Sequence, residues 1–238
     1  MLRKRDLPVC VPLPGIKFDI EKLKEGYNSL KHKMRSLYYE NDGIAVAHNQ
    51  QFLADLDQNQ FFEVSLTTID PSIDTSNTDH YKHDYKSKHN KVSHPAFDEG
   101  NWNHKQDYYK GSYFEEALES QFIGEACRVR LHHLGAGKQI PPHIDYDPSY
   151  ACRVIIPIQG TDNVTNVLWV GKERQEYHLE ANGGAYFLNI GYRHAVYHNG
   201  DEDRIALVAT FTTQEDFQSI ALRKDYGISE LRNQNIHV

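Results

Sequence analysis

From Ile20 onward, apolar residues recur at Ile20, Leu23, Tyr27, Leu30, Met34 and Leu37, in steps of three and four. That spacing lays a single stripe along a helix. It predicts a helix over 19–40, capped by Asp19 and stopped by the turn residues of 40–43. Ser112 and Glu115 form an S-x-x-E box ahead of Ala117, Leu118 and Phe122, which predicts a shorter helix over 113–122. At residue 126 the period changes. Short β-like runs follow at 126–134, 142–145, 151–158, 166–170, 175–179, 184–189, 194–198 and 204–213, separated by turns rich in glycine and proline.

Eight short strands with no helical period between them predict a mainly β fold, the double-stranded β-helix or jelly roll of cupin-like architecture. The chain reads as one domain over 1–238. Residues 1–125 supply an N-terminal helical extension with extra strands that brace one sheet, 126–213 form the jelly-roll core, and 214–238 are a polar tail. Residues 79–111 are dense in His, Tyr, Lys, Asn and Gly and nearly lack aliphatic side chains. They read as an irregular surface loop, with a lid over a site as the functional alternative. Trp169 reads as a core residue.

Composition narrows the function classes. Hydrophobic residues make up 39% of the chain, enough for a core, and the net charge of −7 argues against a nucleic-acid partner held by bulk electrostatics, leaving room only for a local basic patch. The apolar run near the start is broken by Pro8, Pro12 and Pro14 and makes a poor signal peptide. No apolar stretch reaches the roughly 18 residues of a membrane helix. Three cysteines without CxxC spacing argue against a disulfide framework or a structural zinc site. The expectation is a cytoplasmic protein that works without nucleic acid or membrane.

The candidate chemistry starts at "PPHIDYD", residues 141–147. On a strand, residues i and i+2 share a face, so His143 and Asp145 point together while Ile144 points away. In a jelly roll the second and seventh strands are neighbours, and the seventh run offers His194 and His198. These share a face roughly 13 Å apart, so only one can join His143 on a metal. Two histidines and one carboxylate with open positions form the facial triad of non-haem Fe(II) oxygenases. Arg204, ten residues after His194, opens the next strand, where a guanidinium can grip a carboxylate through two parallel hydrogen bonds. Asp147 is in phase with Asp145 but belongs to the turn before Pro148.

"HHLGAGKQIPPHIDYD", "CRVIIPIQG" and "GGAYFLNIGYRHAVYHNGDEDRIALVATF" together resemble the aspartyl/asparaginyl β-hydroxylase-like branch of the Fe(II)/2-oxoglutarate-dependent dioxygenases, which includes free-proline hydroxylases. The resemblance covers roughly residues 126–213. It implies His143, Asp145 and His194 as the iron ligands, which leaves His198 outside the ligand set. It implies Arg204 as the partner of the 5-carboxylate of 2-oxoglutarate, and Arg153 as an arginine meeting a carboxylate of co-substrate or substrate. Family members often carry R-x-H where this chain has Arg153-x-Ile155. The implied cofactors are Fe(II), 2-oxoglutarate and O2, with ascorbate as a supporting reductant. The implied reaction hydroxylates an unactivated C–H of an amino acid, free or in a peptide. Two alternatives use the same fold: a non-catalytic cupin-like protein that binds a metal or small acid, and a metal-dependent isomerase.

Overall fold

Along the last core strand every residue is buried, and alternation sorts them into two different interiors. Ile205, Leu207, Ala209 and Phe211 join one apolar cluster, and Ala206 and Val208 join another. A strand covered on both faces in this way sits between a layer of helices and a second sheet.

The computed structural model describes residues 1–36, 39–41, 44–46, 61–70 and 98–221. In chain order the strands are β1 (Cys10–Lys17), β2 (Arg35–Ser36), β3 (Tyr39–Asn41), β4 (Ile44–Val46), β5 (Phe61–Ser65), β6 (Thr67–Thr68), β7 (His104–Lys105), β8 (Ala126–Leu134), β9 (Gln139–His143), β10 (Cys152–Gln159), β11 (Val164–Val170), β12 (Glu173–Tyr177), β13 (Gly184–Leu188), β14 (Arg193–His198) and β15 (Arg204–Phe211). The α-helices are α1 (Ile20–Leu30) and α2 (Tyr113–Gln121).

A seven-stranded sheet has the order β1-β13-β10-β15-β8-β5-β2, and a four-stranded sheet has the order β12-β11-β14-β9. Their pairings are antiparallel. Of the core strands, β8, β10, β13 and β15 lie in the first sheet and β9, β11, β12 and β14 in the second. This is the expected mainly β jelly roll. The outer face of the large sheet packs on Leu23, Tyr27 and Leu30 of α1, on Phe114 and Leu118 of α2, and on Phe217 and Ile220 of a C-terminal 3-10 turn. The inner face meets the small sheet through Ile155, Leu168, Tyr186, Leu188 and Val208.

Asp19 caps α1, its Oδ1 accepting from the backbone N–H groups of Glu21 (3.1 Å) and Lys22 (3.3 Å). The helix is shorter than the apolar stripe predicts. It ends at Leu30, passes through a 3-10 turn at Lys31–Lys33, and gives way to β2, where Arg35 pairs with Glu63 of β5. Met34 still packs on the helix-side cluster from beyond the helix, so the stripe continues where the helix does not. Leu37 lies outside the described residues. Ser112 caps α2 as expected, accepting from Glu115 N. Of the 79–111 stretch, 79–97 lie outside the described residues. The remainder is ordered around Trp102, which is fully buried.

Candidate metal centre

β9 is the edge strand of the small sheet, which is where prolines are tolerated, because an edge strand has no second neighbour to donate to. Its strand boundary differs from the expected 142–145: the ladder runs from Gln139 to His143, and Ile144 and Asp145 follow it. The register explains why. Ile140 pairs with Val196 and His143 with His194, so Pro141 and Pro142 together oppose Ala195. This is a β-bulge with one extra residue. Plain alternation would put Ile140 and His143, three apart, on opposite faces. The bulge returns both to the interior and sets His143 directly across from His194.

Each imidazole is pinned by its own strand. His143 Nδ1 lies 2.7 Å from Pro141 O, and His194 Nδ1 lies 3.0 Å from Tyr192 O. A carbonyl only accepts, so both Nδ1 atoms carry the proton, and Nε2 is then the nitrogen of each ring with a lone pair that could ligate a metal. The rings stand 4.2 Å apart, centroid to centroid. Asp145, beyond the strand end, is held by its backbone N–H donating to Ile190 O at 3.2 Å. Its Oδ1 is 3.8 Å from His143 Nε2. One donor atom from each of His143, Asp145 and His194 lies within 4.8 Å of the other two, a separation that small side-chain rotations close around an ion with ligands at about 2.1 Å.

The electrostatics prepare the same set. Burial, followed by the neighbouring His143, pushes His194 down to about 4, so at neutral pH its imidazole is uncharged, the form that can ligate a metal. For Asp145, burial opposes the charge. Arg153, then His194, His143 and Arg128, outweigh it and hold the carboxyl well below the usual carboxylate range. Asp145 keeps 28% of its side chain in solvent and stands at the mouth of the site. Ile144 points away, 62% exposed.

His198 shares the strand and face of His194 but lies apart from the ligand cluster. Its Nδ1 accepts from Gly200 N (3.2 Å) and its Nε2–H donates to Glu202 O (2.6 Å), so both ring nitrogens organise the β14–β15 hairpin. That hairpin delivers Arg204, whose side chain is in phase with Ala206 and Val208 and faces the interior. Arg204 is 3% exposed, and burial alone pushes its guanidinium down to about 10. Among the described residues no acceptor or carboxylate pairs with that guanidinium.

Arg153 also faces inward, opposite Thr210 on β15, six residues and roughly 20 Å of strand from Arg204. Its Nη2 lies 3.3 Å from Glu99 Oε2 and 3.7 Å from Asp145 Oδ2, and it hydrogen-bonds the Tyr146 hydroxyl. Ile155 belongs to the apolar cluster between the sheets. Asp147 serves the turn, accepting from Ser149 N at 3.0 Å. Trp169 is half-buried under the Arg193 guanidinium rather than in the core.

Several residues at the site carried no expectation. Arg128 and Arg130 stand four and two before His132 in β8, and their alternation with Val129 and Leu131 was a legible sign that they face inward. Glu99 had no local signal, because it sits on a short 3-10 turn and its charged partners, Arg128 and Arg153, lie far along the chain.

No protein-family description matches this chain, and no curated protein does. Among solved structures, an oxidoreductase of the 2OG-Fe(II) oxygenase family from Burkholderia pseudomallei aligns over 86% of this chain and 86% of its own, at 13% identity and a TM-score of 0.46. The non-heme alpha-ketoglutarate-dependent epimerase SnoN from nogalamycin biosynthesis aligns over 88% of this chain and 79% of its own, at 14% identity and a TM-score of 0.45. A Pseudomonas putida prolyl-4-hydroxylase aligns over 86% of this chain and 92% of its own, at 9% identity and a TM-score of 0.41.

Proposed function

We propose that this chain is an Fe(II)/2-oxoglutarate-dependent dioxygenase of the aspartyl/asparaginyl β-hydroxylase-like branch. Its substrate is an amino acid, free or in a peptide, hydroxylated at an unactivated C–H with release of succinate and CO2. His143, Asp145 and His194 would hold the iron. The donor set suits it, with two neutral imidazoles and one carboxylate on one side of the ion and the other positions left open. When bound, Fe(II) supplies the coupling of 2-oxoglutarate oxidation by O2 to oxygen insertion into the substrate.

The protein's own part is to hold and orient. Pro141 O and Tyr192 O keep the two ligand nitrogens aimed. Arg204 would take the distal carboxylate of 2-oxoglutarate. The apolar wall of Ile155, Leu168 and Val208 keeps water from the space between the sheets. Arg204 is the observation that carries the reading, because a buried guanidinium with no acceptor among the described residues is costly unless a ligand supplies one. All three cysteines are buried as thiols, which supports a reducing, cytoplasmic setting.

The test is to incubate the protein with Fe(II), ascorbate and 2-oxoglutarate against a panel of amino acids and short peptides, following succinate. Succinate that depends on one panel member supports the proposal. A protein that binds the metal but neither binds 2-oxoglutarate by calorimetry nor releases succinate is the non-catalytic metal-binding alternative.

A further inference from the structure

We propose that Arg153 is a positioning residue for the metal-ligating carboxylate of Asp145, holding it to coordinate through one oxygen, rather than a clamp for an incoming carboxylate. The inference rests on the metal site proposed above. Asp145 lies past the end of β9, so no ladder fixes its side chain. Its two oxygens are nevertheless sorted. Oδ1 faces His143 Nε2 at 3.8 Å, and Oδ2 faces Arg153 Nη2 at 3.7 Å. A carboxylate turned this way offers one oxygen to the ion and one to the guanidinium, which keeps a coordination position from being taken by a second carboxylate oxygen.

Arg153 is itself built in. β10 lies between β13 and β15, and Arg153 is paired on both sides, with Leu188 and Thr210. Its guanidinium lies 5.4 Å from the centre of the Tyr146 ring, and Nη2 meets both the Tyr146 hydroxyl and Glu99. Tyr146 follows Asp145 in the chain, so one arginine holds two consecutive residues.

Glu99 is ion-paired in turn to Arg128. Arg128 arrives there through a second bulge, at the register shift opposite Val208 and Thr210, with a left-handed φ of 43°. Its backbone N–H donates to Trp102 O at 2.7 Å, which ties it to the turn that carries Glu99. A non-glycine residue is rarely found in that region, and surrounding structure must hold it there. The result is a run of alternating charge, Arg128, Glu99, Arg153 and Asp145, from four separate segments. A carboxylate arriving from solution at Arg153 would have to displace Glu99 or Asp145.

Titration with Co(II) in the absence of 2-oxoglutarate tests this, read by calorimetry and by the visible absorption of the bound ion. Arg153→Lys keeps the charge but loses the planar fork. It is expected to weaken Co(II) about tenfold and change the spectrum, the scale typical of residues that orient metal ligands. On the Co(II)-loaded protein its 2-oxoglutarate affinity should stay within about threefold of wild type. Glu99→Gln leaves Arg153 in place but loosens its anchor, and should change the spectrum in the same sense. It serves as the independent variant if Arg153→Lys does not fold. Unchanged Co(II) affinity and spectrum in either folded variant overturns the proposal, as does loss of 2-oxoglutarate binding with the metal site intact. A wild-type protein that takes up no Co(II) overturns the metal site itself and this inference with it.

Discussion

His194 and His198 lie four residues apart on one face of one strand, and their hydrogen bonds separate them. His194 spends only Nδ1 on the backbone, whereas His198 spends both nitrogens on the turn that follows. His194→Ala should therefore cost at least about 100-fold in Co(II) affinity with little change in thermal stability. His198→Ala should leave Co(II) affinity near wild type and lower stability by about 1–3 kcal/mol, since it strands Glu202 O and Gly200 N. The two effects exchanged would reverse the ligand assignment. Arg204→Ala should weaken 2-oxoglutarate binding to the Co(II)-loaded protein by about 2–5 kcal/mol, measured by calorimetry, because it removes one member of a buried charge pair. Co(II) binding without 2-oxoglutarate should be unchanged in that variant. Equal 2-oxoglutarate affinity in wild type and variant would remove Arg204 from the site.

Elements set where these residues can stand. The turn after β10 carries Gly160 at φ +63°, and a Cβ there would fall 2.1 Å from Asp203 O and 2.9 Å from the Cα of Arg204. Gly160→Ala should cost about 2 kcal/mol or more of stability, combining backbone strain with a backbone clash. It should also weaken 2-oxoglutarate binding, because relief of that clash moves Arg204. Gly137 has a similar φ of +68° but open space around its Cβ position. Gly137→Ala should cost only about 1 kcal/mol and leave binding alone. Unfolding midpoints and calorimetry on the pair separate the two effects. The same elements show what was legible beforehand. β8, β14 and β15 were readable to within two residues because alternation and flanking glycines mark them locally. β2 and β5 were not, since Arg35–Ser36 becomes a strand only by pairing with Phe62 and Glu63, far along the chain. The Pro141–Pro142 bulge was hidden for the same reason: a register shift belongs to two strands, and only one of them was in view at "PPHID". His143 and Asp145 do converge, but through a bulge and a strand end rather than simple alternation.

At the scale of the whole molecule, the inner face of the large sheet buries an unusual amount of charge, and this makes the fold sensitive to acid. Glu63 on β5 is fully buried, with Arg130 Nη1 at 3.1 Å and His132 Nε2 at 3.3 Å. Burial works against the Glu63 charge, but Arg130, then His132 and Arg128, hold its carboxyl well below the usual range. Burial pushes His132 down to about 4. In the unfolded chain these groups return to ordinary values near 4.5 and 6.5. Below pH 6.5 the unfolded chain therefore takes up a proton at His132 that the folded chain refuses until about pH 4. Below about 4.5 the same holds at Glu63. Stability rises with pH wherever the unfolded state binds more protons, so both contributions are complete above pH 6.5 and are lost progressively in acid. For His132 the loss between pH 6.5 and 5 is roughly 2 kcal/mol, and His194 adds a similar amount in the metal-free protein. Urea unfolding of metal-free protein should thus show stability falling by a few kcal/mol from pH 7.5 to 5. His132→Gln should remove roughly half of that slope while lowering stability at pH 7.5, because Glu63 loses a partner. An unchanged slope in a folded His132→Gln protein would mean that His132 takes up its proton inside the fold over the same pH range as in the unfolded chain, and that burial beside Glu63 and Arg130 does not hold it neutral.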